Sequence, residues 1–120
     1  MAKCDEGYLC EVCGQEVELI TDSALYLQFV IGWIDPETLH TRRESHLRCQ
    51  PVLAQFIDDP NFAPQVIVDN EFDRRKMDAE FAAARAELVT RGFRRLCELQ
   101  TKRDLTVIDY PLPEARDQWR

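Results

Sequence analysis

Cys10-Glu11-Val12-Cys13-Gly14 and His46-Leu47-Arg48-Cys49 are the two stretches on which the reading of this chain turns. They read as C-x2-C followed, after 32 intervening residues, by H-x2-C, which supplies three thiolates and one imidazole. That set suits zinc, whose closed structural sites take four Cys and His ligands at the corners of a tetrahedron. Gly14 follows the second thiol where the chain must turn sharply, and glycine tolerates the positive φ such a turn requires. One C-x2-C is weak evidence by itself. The second pair, with the right ligand types, makes Cys10, Cys13, His46 and Cys49 the expected ligand set. Reduced core cysteines with a satisfied histidine are the bland alternative. A thioredoxin-like dithiol is the third, but the βαβ context it requires is missing. Cys4 and His40 are near enough in sequence to replace a ligand, yet neither has a partner at chelating spacing.

Working outward, the 120 residues fit one domain, or a metal module of residues 1–60 and a helical unit of residues 61–120 packed together. Apolar residues at 45% and charged residues at 31% give an ordinary globular balance. No run approaches the roughly 20 apolar residues of a membrane span. Asp5 and Glu6 stand where an export signal would carry its basic region, so a cytoplasmic chain is expected. Five cysteines, an odd number, argue against a disulfide framework and leave thiols free for metal. The net charge of −7 lies in the metal half: residues 1–60 hold 4 basic and 11 acidic side chains, residues 61–120 hold 11 of each. Because nonspecific nucleic-acid binding rests on cations displacing counterions from phosphates, that reading starts at a disadvantage.

Glu16 to Ile20 alternates polar and apolar, and Leu25, Leu27, Phe29, Ile31 and Trp33 recur at period two. Both runs read as strands of a hairpin turning at Thr21-Asp22-Ser23, with a short helix over Asp22–Gln28 as the alternative. Asp35-Pro36 ends the second strand, and Glu37 to Arg43 is polar enough for a loop. Pro51 suits the first position of a helix running to about Asp58, and Asp58-Asp59-Pro60-Asn61 stops it. A long amphipathic helix is expected from about Asn70 to Gln100, capped by Asp69 or Asn70. Glu71/Arg75 and Glu87/Arg91 would pair at i,i+4, and Met77, Phe81, Ala84, Leu88, Leu96 and Leu99 would form its apolar stripe. Gly92 marks either close packing or a break, and continuity is the preferred reading. Val66–Val68 and Leu105–Ile108 read as short strands, the former alternatively as a helix extension. The tail after Tyr110-Pro111-Leu112-Pro113 reads as a frayed arm.

Knuckle, hairpin, loop, then a helix whose start delivers the second ligand pair: over residues 8–58 this layout resembles treble-clef zinc domains, and the half-sites look like those of zinc ribbons. The resemblance implies an α+β fold in which Cys10 and Cys13 are knuckle ligands and His46 and Cys49 the pair at the helix. It also implies three kinds of role: protein binding, nucleic-acid binding and, in a nuclease branch, catalysis. Pro51 after the second pair departs from the pattern.

Among these roles the expectation is a non-catalytic interaction or regulatory protein with a structural Cys3His zinc site, an unidentified protein partner, and a homodimer through the 71–100 helix as an option. The alternative is a small nucleic-acid-binding regulator using Arg42, Arg43 and Arg48 on phosphates, helped by Arg94, Arg95, Lys102 and Arg103. Four ligands close the metal shell that an enzyme would leave open, His40 is the one spare histidine, and no Ser/His/Asp set or phosphate loop is present. Cys97, between Leu96 and Leu99, reads as a packing residue, with a thiol redox role as its alternative.

Overall fold

Leu25 to Val30 is helical where a strand was expected. In the computed structural model, which describes residues 8–118, α1 spans Ala24–Val30 and buries Ala24, Leu25, Tyr26, Leu27, Phe29 and Val30. A helix buried on nearly every side carries no amphipathic period, so its apolar residues line up with a strand template as readily as with a helical one. The deciding signals are at its ends. Ser23 is the N-cap, its Oγ accepting from the Tyr26 N–H at 2.9 Å. At the other end Gly32 takes φ +88°, its N–H donating to the Phe29 carbonyl at 3.1 Å while the Trp33 N–H donates to Gln28 at 2.9 Å. Those paired bonds are a Schellman ending.

The hairpin lies across the knuckle instead. β1 (Tyr8–Leu9) pairs antiparallel with β2 (Glu16–Val17), in the register Tyr8↔Val17 and Leu9↔Glu16. A 3-10 turn at Ile20–Asp22 follows where the expected strand would have continued. The hairpin expected after the knuckle is therefore replaced by α1. Glu37 to Arg43 is also not a loop: α2 spans Pro36–Thr41, with Asp35 capping the Thr38 N–H at 2.7 Å and Pro36 in the first turn. Asp-Pro here starts a helix as well as ending the previous segment.

A 3-10 turn over Leu47–Cys49 leads into α3 (Pro51–Ala54), shorter than expected but begun by Pro51 as the sequence indicated. The Gln55 side chain then reaches sideways, donating to the Val52 and Phe72 carbonyls at 3.0 and 2.9 Å and accepting from the Arg74 N–H at 2.9 Å. This ties α3 to the long connection that follows. Val66–Val68 belongs to no strand or helix.

α4 spans Ala79–Thr101, starting later than expected because Asp78, not Asp69 or Asn70, caps it through the Phe81 N–H. Asn70 instead accepts from Phe72 in a tight turn. The helix is continuous through Gly92. Its buried stripe is Ala82, Ala86, Val89, Phe93, Leu96 and Leu99, so the expected stripe was correct at its C-terminal end but misplaced at Phe81 and Ala84, which are exposed. A Cβ at Gly92 would lie 2.4 Å from Ile31 Cγ2 and 2.8 Å from Leu27 Cδ1, which fixes where α1 crosses α4. The expected i,i+4 ion pairs are replaced: Arg75 pairs with Asp73 and Arg91 with Glu114. Leu105–Ile108 is not a strand; a 3-10 turn occupies Val107–Asp109. The expected arm is α5 (Pro113–Asp117), docked by the Leu112 N–H on the Val30 carbonyl at 2.9 Å and by Ala115 buried against Gly32.

Among the described residues about half are thus helical, beside a single short two-stranded ribbon. One apolar cluster contains Ile20, Leu27, Phe29 and Leu47 from the metal half together with Phe62, Val89, Phe93, Leu96 and Leu112. No described helix is long and apolar enough to cross a membrane.

Candidate metal centre

The knuckle is closed by the Cys10 N–H on the Gln15 carbonyl at 2.7 Å and the Gly14 N–H on the Cys10 carbonyl at 2.8 Å, with Gly14 at φ +78°. This places Cys10 and Cys13 on the inside of one turn. The second pair is delivered by residues 44–46, which run between the knuckle and the start of α1. The Glu11 N–H donates to the Glu44 carbonyl and the Ala24 N–H to the Ser45 carbonyl, both at 2.9 Å, and Ser23 bridges His46 in antiparallel fashion. The 3-10 turn after His46 then brings Cys49 back onto the same point.

As a result one ligand atom from each of Cys10, Cys13, His46 and Cys49 lies within 4.8 Å of the others, close enough to bind a metal ion. The His46 Nδ1 is 3.4 Å from Cys13 Sγ and 3.9 Å from Cys49 Sγ. For a tetrahedral ion with metal–sulfur and metal–nitrogen bonds of about 2.3 and 2.05 Å, that edge is about 3.6 Å. The two measured edges bracket it. The other ring nitrogen of His46 lies 2.9 Å from the Glu16 carbonyl. A carbonyl only accepts, so Nε2 carries a proton, and in the neutral ring Nδ1 turns its lone pair toward the sulfurs. Such an outer hydrogen bond is the usual device for orienting a ligating imidazole.

The electrostatics of the cluster suit a cation. Burial raises the Cys10 thiol, but the N–H groups of Cys13, His46 and Val12 more than compensate and bring it down to about 6. The Val12 and His46 N–H groups each lie 3.4 Å from its sulfur. Cys49 is pushed up to about 11, first by desolvation and then by Cys10 and Cys13 as hydrogen-bonding and negatively charged neighbours. Burial lowers the His46 imidazole, and its bonds to Glu16, Cys10 and Cys13 outweigh this and raise it. Three thiols packed so closely cannot all ionise beside one another unless a positive charge sits between them. Cys10 is 2% exposed whereas Cys13 is on the surface, so the site is anchored on the core side and open to solvent on the other.

Among the other residues singled out, His40 is exposed on the last turn of α2 and is not part of the group. Cys4 lies outside the described residues. Cys97 is half-buried against the core, and desolvation, with Asp59 adding to it, raises its thiol, the opposite of a reactive thiolate. Arg48 donates to the Ala63 and Pro64 carbonyls at 3.0 Å and stacks over the Phe62 ring at 4.2 Å. Arg42 and Arg43 are exposed beside a shallow polar concavity of about 390 Å3 that also includes Glu11. Glu44, next to Arg43 in the sequence, is buried. Its carboxylate accepts from Ser23 Oγ at 2.8 and 3.0 Å, and burial, opposed by those bonds, raises its pKa. The sequence reading missed this pair, although Ser23 at a helix start and Glu44 two residues before a ligand were both visible. No family model, curated protein or solved structure matches the chain.

Proposed function

We propose that the chain is a small, non-catalytic interaction or regulatory protein organised by one structural zinc ion on Cys10, Cys13, His46 and Cys49. The observation that carries this reading is the convergence of four soft and imidazole donors within 4.8 Å, with the fourth corner already supplied by the protein. A closed Cys3His shell leaves no position for a substrate or water, which supports a folding role over a catalytic one. Bound there, zinc neutralises the thiolates and ties the knuckle to residues 44–49. It does so for a ribbon of two residue pairs that has too little apolar area to hold itself. Of the treble-clef likeness, the knuckle and a second pair at a helical turn support the comparison; α1 occupies the place of the hairpin.

The nucleic-acid alternative loses part of its charge to internal contacts. Arg48 is committed to backbone carbonyls, Arg94 to Asp59 and Arg95 to Glu98 and the Asp109 and Tyr110 carbonyls, which leaves the exposed Arg42, Arg43, Lys102 and Arg103 to meet phosphates.

The test is elemental analysis of the untagged, reduced protein with Cys49→Ser beside it. One zinc per chain, lost in the variant together with the structure of residues 8–50, is the expected result. Folded wild-type protein that stays zinc-free in zinc-containing medium would sink the proposal.

A further inference from the structure

Trp33, Phe81 and Arg85 form a surface feature that the metal reading leaves unused. Trp33 is 40% exposed and Phe81 49% exposed, and the Arg85 guanidinium lies over both rings, 4.6 Å from one centroid and 4.8 Å from the other. The buried Phe56 ring stands behind it at 5.9 Å. The platform is held rigidly from two sides. Trp33 follows the Schellman ending of α1, while Phe81 and Arg85 are one turn apart on α4, so their rings and guanidinium are set by fixed backbone.

Nearby arginines are spoken for: Arg74 pairs with Asp58, Arg91 with Glu114 and Arg94 with Asp59. Among the described residues no carboxylate lies within ion-pair distance of Arg85, and no hydrogen bond engages its side chain. Held against the rings, the Arg85 guanidinium keeps forked N–H donors that engage no described partner and suit a planar acceptor. Exposed Trp and Arg side by side are also the residues that dominate binding energy at protein interfaces.

We propose that this platform is a docking subsite for a linear segment of a partner protein that presents an Asp or Glu carboxylate next to an apolar side chain. The carboxylate takes the edge of Arg85 and the apolar group covers the Trp33 and Phe81 rings. Charge argues for a carboxylate over a phosphate: one guanidinium matches one negative charge, whereas a phosphorylated residue near −2 is normally met by a cluster of cations. The inference rests on the reading of the chain as an interaction protein but not on the zinc site, and the test separates the two.

The zinc-loaded full chain is applied to a synthetic array of short peptides in which a central Glu, Asp, Gln, phosphoserine or Lys is flanked by Leu, Phe or Ser. Retention of Glu and Asp peptides with apolar flanks, weakened about tenfold in Arg85→Gln and in Trp33→Ala at unchanged zinc content and circular dichroism, is the expected result. Arg85→Lys, which keeps the charge and loses the fork, is expected to bind weakly and serves if Arg85→Gln fails to fold. Equal retention of Glu and Gln peptides, preference for phosphoserine, no retention of any peptide, or binding indifferent to Arg85 would each overturn the inference. A chain that selects carboxylates yet holds no zinc would refute the metal reading alone.

Discussion

Replacing Gly92 by alanine sets two opposing energies against each other at one position. In an exposed helix interior the change stabilises by about 1 kcal/mol, because glycine loses more backbone entropy. Here the added methyl group would sit 2.4 Å from Ile31 Cγ2 and 2.8 Å from Leu27 Cδ1, well inside the 3.5–4.0 Å at which carbon atoms attract. Both neighbours are buried, Leu27 completely, so neither can swing into solvent. Forcing a methyl group into such a contact costs about 1–3 kcal/mol, leaving a net destabilisation of roughly 0–2 kcal/mol. Urea unfolding at fixed zinc excess, followed by far-ultraviolet circular dichroism, reads the difference, and Ala83→Gly on the exposed face of α4 calibrates the propensity term. In an Ile31→Ala background the methyl group regains space, so Gly92→Ala should there become less harmful by about 1 kcal/mol or more. If Gly92→Ala stabilises the wild-type chain by the full propensity gain, or if its effect is the same with and without Ile31, the account of the α1–α4 crossing is wrong.

Three other outcomes are expected. Ser23→Ala removes the α1 cap and the hydroxyl donor of the buried Glu44 together, and should lower stability by about 1–3 kcal/mol in the same urea assay. Asp73, held at about 2 by the Arg75 side chain and then by its N–H, contributes stability that is complete above the ordinary carboxylate value of about 4 and is lost as pH falls through about 2. The difference between wild type and Asp73→Asn, measured at matched metal, should therefore shrink across that window and stay constant above it. Asp35→Ala should fray α2, visible as several-fold faster amide exchange at Thr38 and Leu39.

The convergence of Cys10, Cys13, His46 and Cys49 was legible because chelation imposes chemistry and spacing that few other constraints imitate, and Pro51 and the continuity of α4 were legible because proline and helical period act locally. α1 was legible only as the alternative helix over Asp22–Gln28, because burial on nearly all sides erases the pattern by which helices are recognised, even though Ser23 and Gly32 marked its ends. The stripe of α4 was misread at Phe81 because that ring meets Arg85 on the surface instead of the core. Glu44 escaped notice because an acid flanked by arginines in sequence looks solvated. Its true partner, Ser23, is 21 residues away and only the fold brings them together.

The bond from His46 Nε2 to the Glu16 carbonyl has a consequence for how the ribbon is built. Two residue pairs are too few to choose their own alignment, and a slip of one position would expose Val17, now fully buried. It would also move the Glu16 carbonyl away from the imidazole, releasing the tautomer that points Nδ1 at the sulfurs. A cation bound by these four side chains would thus discriminate between pairings of the strands, acting as a template that retains only chains in which β1 and β2 have met in the right frame.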